Sequence, residues 1–182
     1  MYLIEPSGWM ANANKQPSPN YNQRPNAADI SLLVIHNISL PAGQFGGPYV
    51  HQLFTNCLDC ESHSSFDDLR GLNVSAHLFI DREGVLHQFV SFNDRAWHAG
   101  VSQFDGRDNC NDFSIGIELE GADDVSYTDA QYRELIAVTE SLQSYYPAIS
   151  AARIVGHCDI APGRKTDPGL AFDWTYYKNA LG

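Results

Sequence analysis

The sequence predicts one α/β (α+β) domain over residues 1–182, a central mixed β-sheet flanked by helices. Three observations carry this expectation. Short apolar runs read as a strand, a hairpin and a strand at 30–36, 73–90 and 113–121. One long amphipathic run then precedes a last strand at 152–157. At 182 residues and 43% hydrophobic content, the chain is long enough for a sizeable core and too apolar for a disordered segment.

Taken in order, "ANANKQPSPNYNQRPNAAD" (11–29) is polar and rich in Pro and Asn, and reads as an extended lead-in over the surface. "ISLLVIH" (30–36) is continuous, apolar and β-branched, the pattern of a buried central strand. In "FGGPYVHQLFTN", Pro48 sits near the first turn of a short helix. Across 73–90, Val74, Ala76, Leu78 and Ile80 alternate with Ser75, His77 and Phe79, and "DREG" supplies a hairpin turn. "FSIGIELEG" (113–121) is a strand whose alternation sets Glu118 and Glu120 opposite Ile115, Ile117 and Leu119. Glu120, beside Gly121 at the strand end, fits an outward, solvated carboxylate.

The clearest helix is "YTDAQYRELIAVTESLQSYYP". Thr128 and Gln131 make a capping box, and Tyr132, Leu135, Ile136, Thr139 and Leu142 form the buried stripe that Pro147 closes. "ARIVGH" (152–157) is the final strand, and "DWTYYKNAL" a final helix capped by Asp173.

Eleven basic residues against twenty-two acidic give a formal charge of −11, which argues against a phosphate-backbone partner. No apolar run approaches the roughly 18 residues of a membrane span. The N-terminus carries Glu5 and Pro6 early and lacks a basic stretch followed by an apolar one, so a cytoplasmic protein is expected. Four cysteines (Cys57, Cys60, Cys110 and Cys158) include one C-x-x-C, "CLDC". Without a second pair it is read as reduced thiols rather than a zinc site.

Three strands carry unexpected polar groups. His36 closes "LLVIH", Glu118 sits inside "IGIELEG", and His157 closes "RIVGH". Each histidine alone reads more readily as a hydrogen-bonded core imidazole, because a buried ring needs a partner. If the two histidine strands are neighbours, His36, His157 and Asp167 converge as a two-His, one-carboxylate set with an open position, the requirement of catalytic zinc. The loop "VGHCDIAPGRKTDPG" (155–169), broken by Pro162, Pro168 and three glycines, would hold His157, Lys165 and Asp167 in one rigid piece. Lys165 is either a surface cation or a stabiliser of an oxyanion. Trp97 in "AWHAG" is either core or a wall for a sugar or peptide ligand. A cysteine hydrolase built on Cys158 or Cys110 is the rival chemistry. Adjacent side chains on one strand point to opposite faces, which sets Cys158 poorly against His157.

Together, "LLVIHNISLPAGQFGG", "VSAHLFIDREG", "RAWHAG", "CNDFSIGIELEG", "TDAQY" and "GHCDIAPGRKTDPG" resemble the zinc-dependent N-acetylmuramoyl-L-alanine amidases, a group that includes peptidoglycan recognition proteins. Within it, the chain is similar to the cytosolic branch that acts on 1,6-anhydro-muropeptides in peptidoglycan recycling. The likeness runs from about residue 9 to residue 176. It implies a mixed sheet with flanking helices, one Zn2+ held by His36, His157 and Asp167, Glu118 as acid/base and Lys165 as oxyanion stabiliser. It also implies a groove containing Asn37, Trp97 and His98, a small-molecule muropeptide as partner, no nucleic acid or membrane, and a monomer. Asn73 and Asn109 stand where the family often has arginine, so the expected fork for stem carboxylates is missing. Arg70 and Arg107 are the nearby candidates to replace it.

Overall fold

The computed structural model describes residues 2–182. Its strands are β1 (Asn14–Lys15), β2 (Tyr21–Gln23), β3 (Leu32–Ile38), β4 (Leu78–Ile80), β5 (Leu86–Gln88), β6 (Asp94–Ala96), β7 (Gln103–Phe104), β8 (Arg107–Asp108), β9 (Ser114–Glu120) and β10 (Ile154–Gly156). The helices are α1 (Tyr49–Phe54), α2 (Asp129–Tyr145), α3 (His157–Ile160) and α4 (Trp174–Ala180). The main sheet has the order β1-β5-β4-β9-β3-β10. Strands β4, β9, β3 and β10 run parallel, and β5 is antiparallel to β4, so the sheet is mixed as expected.

Both faces of the sheet are covered, which explains why β3 is apolar throughout rather than alternating. On one face Leu33, Ile35, Ile115, Ile117 and Leu119 pack with Tyr132, Leu135, Val138 and Leu142 of α2. Burying each such aliphatic side chain is worth about 1.5–3 kcal/mol. On the other, Leu32 and Val34 meet Phe113 and Ile160, while Phe79 and Phe89 pack on Val50, Leu53 and Phe54 of α1. The α2 capping box forms as the spacing predicts, with Thr128 Oγ1 accepting from Gln131 N at 3.1 Å. The Gln131 amide also donates to Glu120 O at 2.9 Å, pinning the helix start to the end of β9.

Three expectations need correction and one needs detail. The 11–29 tract is mostly exposed, as expected of a surface lead-in, yet it is tied down: β1 adds an edge to the sheet, β2 pairs with β6, and Arg24 is buried. The Arg24 guanidinium donates to the carbonyls of Phe92, Asn111, Asp112 and Ser114, at 2.8–3.2 Å. A polar tract docked by side-chain-to-backbone bonds leaves no hydrophobic period to read. The hairpin is real but short, pairing only 78–80 with 86–88, with Ser75 and His77 buried beside the apolar set.

Strand β10 stops at Gly156, and His157 opens α3 instead of closing the strand. The reason is local: Asp159 Oδ2 accepts from Gly156 N at 2.7 Å and starts the helical turn. Glu120, finally, is buried rather than solvated. Its carboxylate accepts from Gly46 N at 2.5 Å and Arg82 N at 3.1 Å, tying two loops to the end of β9.

Candidate metal centre and active site

Parallel strands β10, β3 and β9 end on the same edge of the sheet, where α/β proteins bind ligands. Register then places the chemistry. His36 lies opposite Glu118, and Ile35 opposite Gly156, so His157 follows directly beside His36. Asp167 arrives on the loop after α3, which is docked by Cys158 N to Asp167 O (3.0 Å) and by Tyr127 Oη to Pro168 O (2.8 Å). Gly169, at φ +81°, passes so close to Asp123 that a Cβ would lie 2.1 Å from its Cα. The rigid loop expected from the Gly and Pro spacing is thus held from three sides.

His36 Nδ1, His157 Nδ1 and Asp167 Oδ2 converge at 3.0–3.1 Å from one another. They form the one group of potential metal-binding side chains among the described residues. The far nitrogens settle whether a cation fits. His157 Nε2 lies 3.0 Å from Ala99 O, which can only accept, so the proton sits on Nε2 and Nδ1 is bare. His36 Nε2 meets His98 Nδ1 at 2.9 Å, leaving Nδ1 facing the same point. Lone pairs from two imidazoles and a carboxylate repel at this spacing unless a cation lies between them. The donor set, two nitrogens and one oxygen, is that of a catalytic zinc site with an open position. Burial lowers the His36 pKa to about 4, keeping its ring neutral and able to ligate. Burial works against the Asp167 charge, but its close contacts with His157 and His36 outweigh it and hold the carboxyl well below its usual range.

Glu118 is buried beside this set, and among the described residues its Oε2 has no hydrogen-bond partner. Burial first, then the Asp167 charge, pushes its pKa well above the ordinary value, and Lys165 pulls the other way. A buried, unpartnered carboxyl that can hold or release a proton has the chemistry a general acid/base needs.

Asn37, Trp97, His98, Glu118, Lys165 and Asp167 share one cleft of ≈ 270 Å³. It continues past Asn73 and Arg164 into a section of ≈ 430 Å³. Trp97 is half-buried and belongs to the cleft wall rather than the core, with Nε1 donating to Asn22 Oδ1 at 2.8 Å. Asn37 is braced on Asp123, Nδ2 to Oδ1 at 2.8 Å. Both His98 ring nitrogens are engaged, with His36 and with Ser114 Oγ (3.1 Å). A larger apolar hollow of ≈ 600 Å³, with Cys158, Leu170 and Trp174, lies on the other side of Lys165.

Neither Arg70 nor Arg107 replaces the missing arginines. Arg70 pairs with Glu61 and Asp67 on the surface, while Arg107 pairs with Asp29 and lies 3.8 Å over the Phe113 ring. Cysteine chemistry finds no support: burial raises the thiol pKa of both Cys110 and Cys158. Because His157 heads a helix, the opposite-faces argument about Cys158 does not apply. Its Sγ faces Asp159 Oδ1 at 3.9 Å instead. All four cysteines are free thiols.

Sequence reasoning missed Ala99 and Ser114, which hold the histidines. One signal pointed to the ring they surround. Gly116 sits inside a strand, where glycine marks a close approach, and a Cβ there would fall 2.5 Å from the His98 ring.

Fold and site together define a mixed-sheet α/β protein with a metal-capable triad at the strand ends and a buried carboxyl beside it. The family model described as N-acetylmuramoyl-L-alanine amidase matches residues 26–170. The 1,6-anhydro-N-acetylmuramyl-L-alanine amidase AmpD of Escherichia coli K12 is 56% identical, over 97% of this chain and 95% of its own length. A crystal structure of a selenomethionine AmpD derivative superposes with a TM-score of 0.95 at 54% identity, covering 99% of both chains. The E. coli amidase AmiD, solved with anhydro-N-acetylmuramic acid-L-Ala-D-γ-Glu-L-Lys, gives a TM-score of 0.62 at 28% identity, covering 97% of this chain and 65% of that one. The chain belongs to the N-acetylmuramoyl-L-alanine amidase family.

Proposed function

We propose that the chain is a zinc enzyme hydrolysing the amide between 1,6-anhydro-N-acetylmuramic acid and L-Ala in soluble anhydro-muropeptides, a cytoplasmic step of peptidoglycan recycling. The carrying observation is the pairing of a converged two-His, one-Asp set with the orphaned carboxyl of Glu118 in one cleft. Identity of 56% to AmpD supports the anhydro-sugar, and the muropeptide in the AmiD structure supports the ligand class.

His36, His157 and Asp167 hold the ion. Zinc in that site supplies Lewis acidity, polarising an amide carbonyl and acidifying water. Glu118 takes a proton from the attacking water and later delivers it to the leaving amine of L-Ala. Lys165, on the rim, places positive charge beside the developing oxyanion. Asn37 and the Trp97 ring orient sugar and peptide, and the cleft limits bulk water around the scissile bond. One chain supplies all five chemical residues, so a monomer acting as one amidase domain suffices.

The test is turnover of purified protein on an anhydro-muropeptide with and without chelator, with zinc measured by elemental analysis. Zinc-dependent release of the peptide is expected. Activity that survives chelation and dies with iodoacetamide would overturn the reading in favour of a thiol.

A further inference from the structure

Both metal histidines are oriented by one dipeptide. His157 Nε2 donates to the carbonyl of Ala99 at 3.0 Å, and His36 Nε2 meets the ring of His98 at 2.9 Å. For His36 Nδ1 to be bare, His36 Nε2 must donate, so His98 Nδ1 accepts and His98 Nε2 donates to Ser114 Oγ at 3.1 Å. The dipeptide is not itself part of a regular element, since β6 ends at Ala96. What fixes it is a single oxygen. Asn111 Oδ1 accepts from His98 N at 3.1 Å and from Ala99 N at 2.8 Å, two consecutive amides on one acceptor.

Asn111 is in turn immobilised. It is buried in the turn Cys110–Asp112, and its own carbonyl accepts from Arg24 Nη1 at 3.2 Å. Ala99 O is steadied from outside by Arg164 Nη2 at 2.6 Å, and Gly116 gives the His98 ring its floor. Rotating the 98–99 backbone by losing the Asn111 acceptor would move the Ala99 carbonyl and the His98 ring together, and with them both ligating rings.

We propose that Asn111 is a positioning residue for the metal: its carboxamide holds the His98–Ala99 backbone so that His36 and His157 both present a bare Nδ1. The inference rests on the reading that these histidines bind zinc, and it adds a residue outside the set of ligating groups. Partners in this outer position are typically worth about 10–100-fold in metal affinity.

Three measurements test it. Chelator competition with zinc on Asn111→Leu, which keeps volume and removes the acceptor, should show affinity weakened by about 10–100-fold. Asn111→Asp, which keeps the oxygen, should retain most of the affinity. Histidine ¹⁵N spectra of the zinc-free wild type should show His36, His157 and His98 each as the Nε2–H tautomer, and Asn111→Leu should blur this for the two ligands. A role confined to loop stability would lower the melting temperature of both variants and leave zinc affinity and tautomers at wild-type values, which would overturn the proposal. If Asn111→Leu does not fold, the wild-type spectra decide: mixed tautomers at His36 and His157 would sink it. Failure of the wild type to bind zinc would instead overturn the underlying metal reading, so the two failures are distinguishable.

Discussion

Glu118 and Asp167 are carboxylates lining one cleft, yet their surroundings push them in opposite directions. Asp167 is held ionised by its contacts with both rings against the burial that opposes its charge, whereas Glu118 is raised by burial with Oε2 unpartnered among the described residues. Their substitutions should therefore separate. Asp167→Ala removes a ligand atom and should empty the zinc site by elemental analysis. Glu118→Gln should retain zinc and lose about 10²–10⁴ in kcat, the usual worth of a general acid/base. Full zinc in both variants would remove Asp167 from the ligand set. The pH dependence has a definite sign. Glu118 must be ionised to accept a proton, so kcat/KM should fall as pH drops through a pKa lying above the ordinary 4.5. The folded chain holds that proton more tightly than the unfolded chain. Stability of the zinc-free protein should accordingly decline as pH climbs from 4.5 through the raised value. Glu118→Gln should flatten that decline in melts run across pH.

At the scale of elements, β9 is the organiser. Its two glutamates share a face, one kept free for chemistry and the other consumed in architecture. Glu120 ties Gly46 and Arg82 to the strand end while Gln131 of α2 docks on the same carbonyl edge. Glu120→Ala leaves two amides without their charged acceptor and should cost about 1.5–3 kcal/mol by denaturant melts. Zinc content should be unchanged, because Glu120 touches none of the ligands. The segment after α1 gives the converse case. Cys57 and Cys60 are free thiols outside the metal cleft, so Cys57→Ser with Cys60→Ser should leave zinc content and turnover near wild type. A large loss of either would assign "CLDC" a role the structure does not give it.

For the molecule as a whole, the question is what enters the cleft. A net charge of −11 disfavours the acidic polymer of an intact wall, and no helix among the described residues is long and apolar enough to cross a membrane. With Arg70 and Arg107 paired elsewhere, Asn73 lines the cleft, and the cations that reach this section are Arg164 and Lys165. A lost charged hydrogen bond is worth about 1.5–3 kcal/mol, so distal stem residues should matter less than the sugar and L-Ala. Comparing kcat/KM for anhydro-muramyl and reducing muramyl forms of one peptide checks this, with the anhydro form and both tri- and tetrapeptides expected to be cleaved well. Equal values, or faster release from whole sacculi, would favour a wall-remodelling amidase.

Much of this was legible in the residues. The apolar run 30–36, the Thr128–Gln131 box and the Gly- and Pro-broken loop are local signals, and local signals survive without a structure. So did the candidate site, because His36, Glu118 and His157 each interrupt an apolar strand pattern and Asp167 sits on the loop that follows the last of them. What stayed hidden was non-local. Parallel register, set by pairing between residues 82 apart (β3 with β9) and 121 apart (β3 with β10), decided that His36, Glu118 and His157 share an edge. Burial on both sheet faces turned Glu120 from a solvated charge into an anchor and left Glu118 without a partner. The docking of a polar lead-in by Arg24, and the hold of Asn111 on the backbone at 98–99, depend on side-chain-to-backbone bonds between distant segments. Such bonds leave no period or spacing in the sequence, because each is satisfied only once the chain has folded around it.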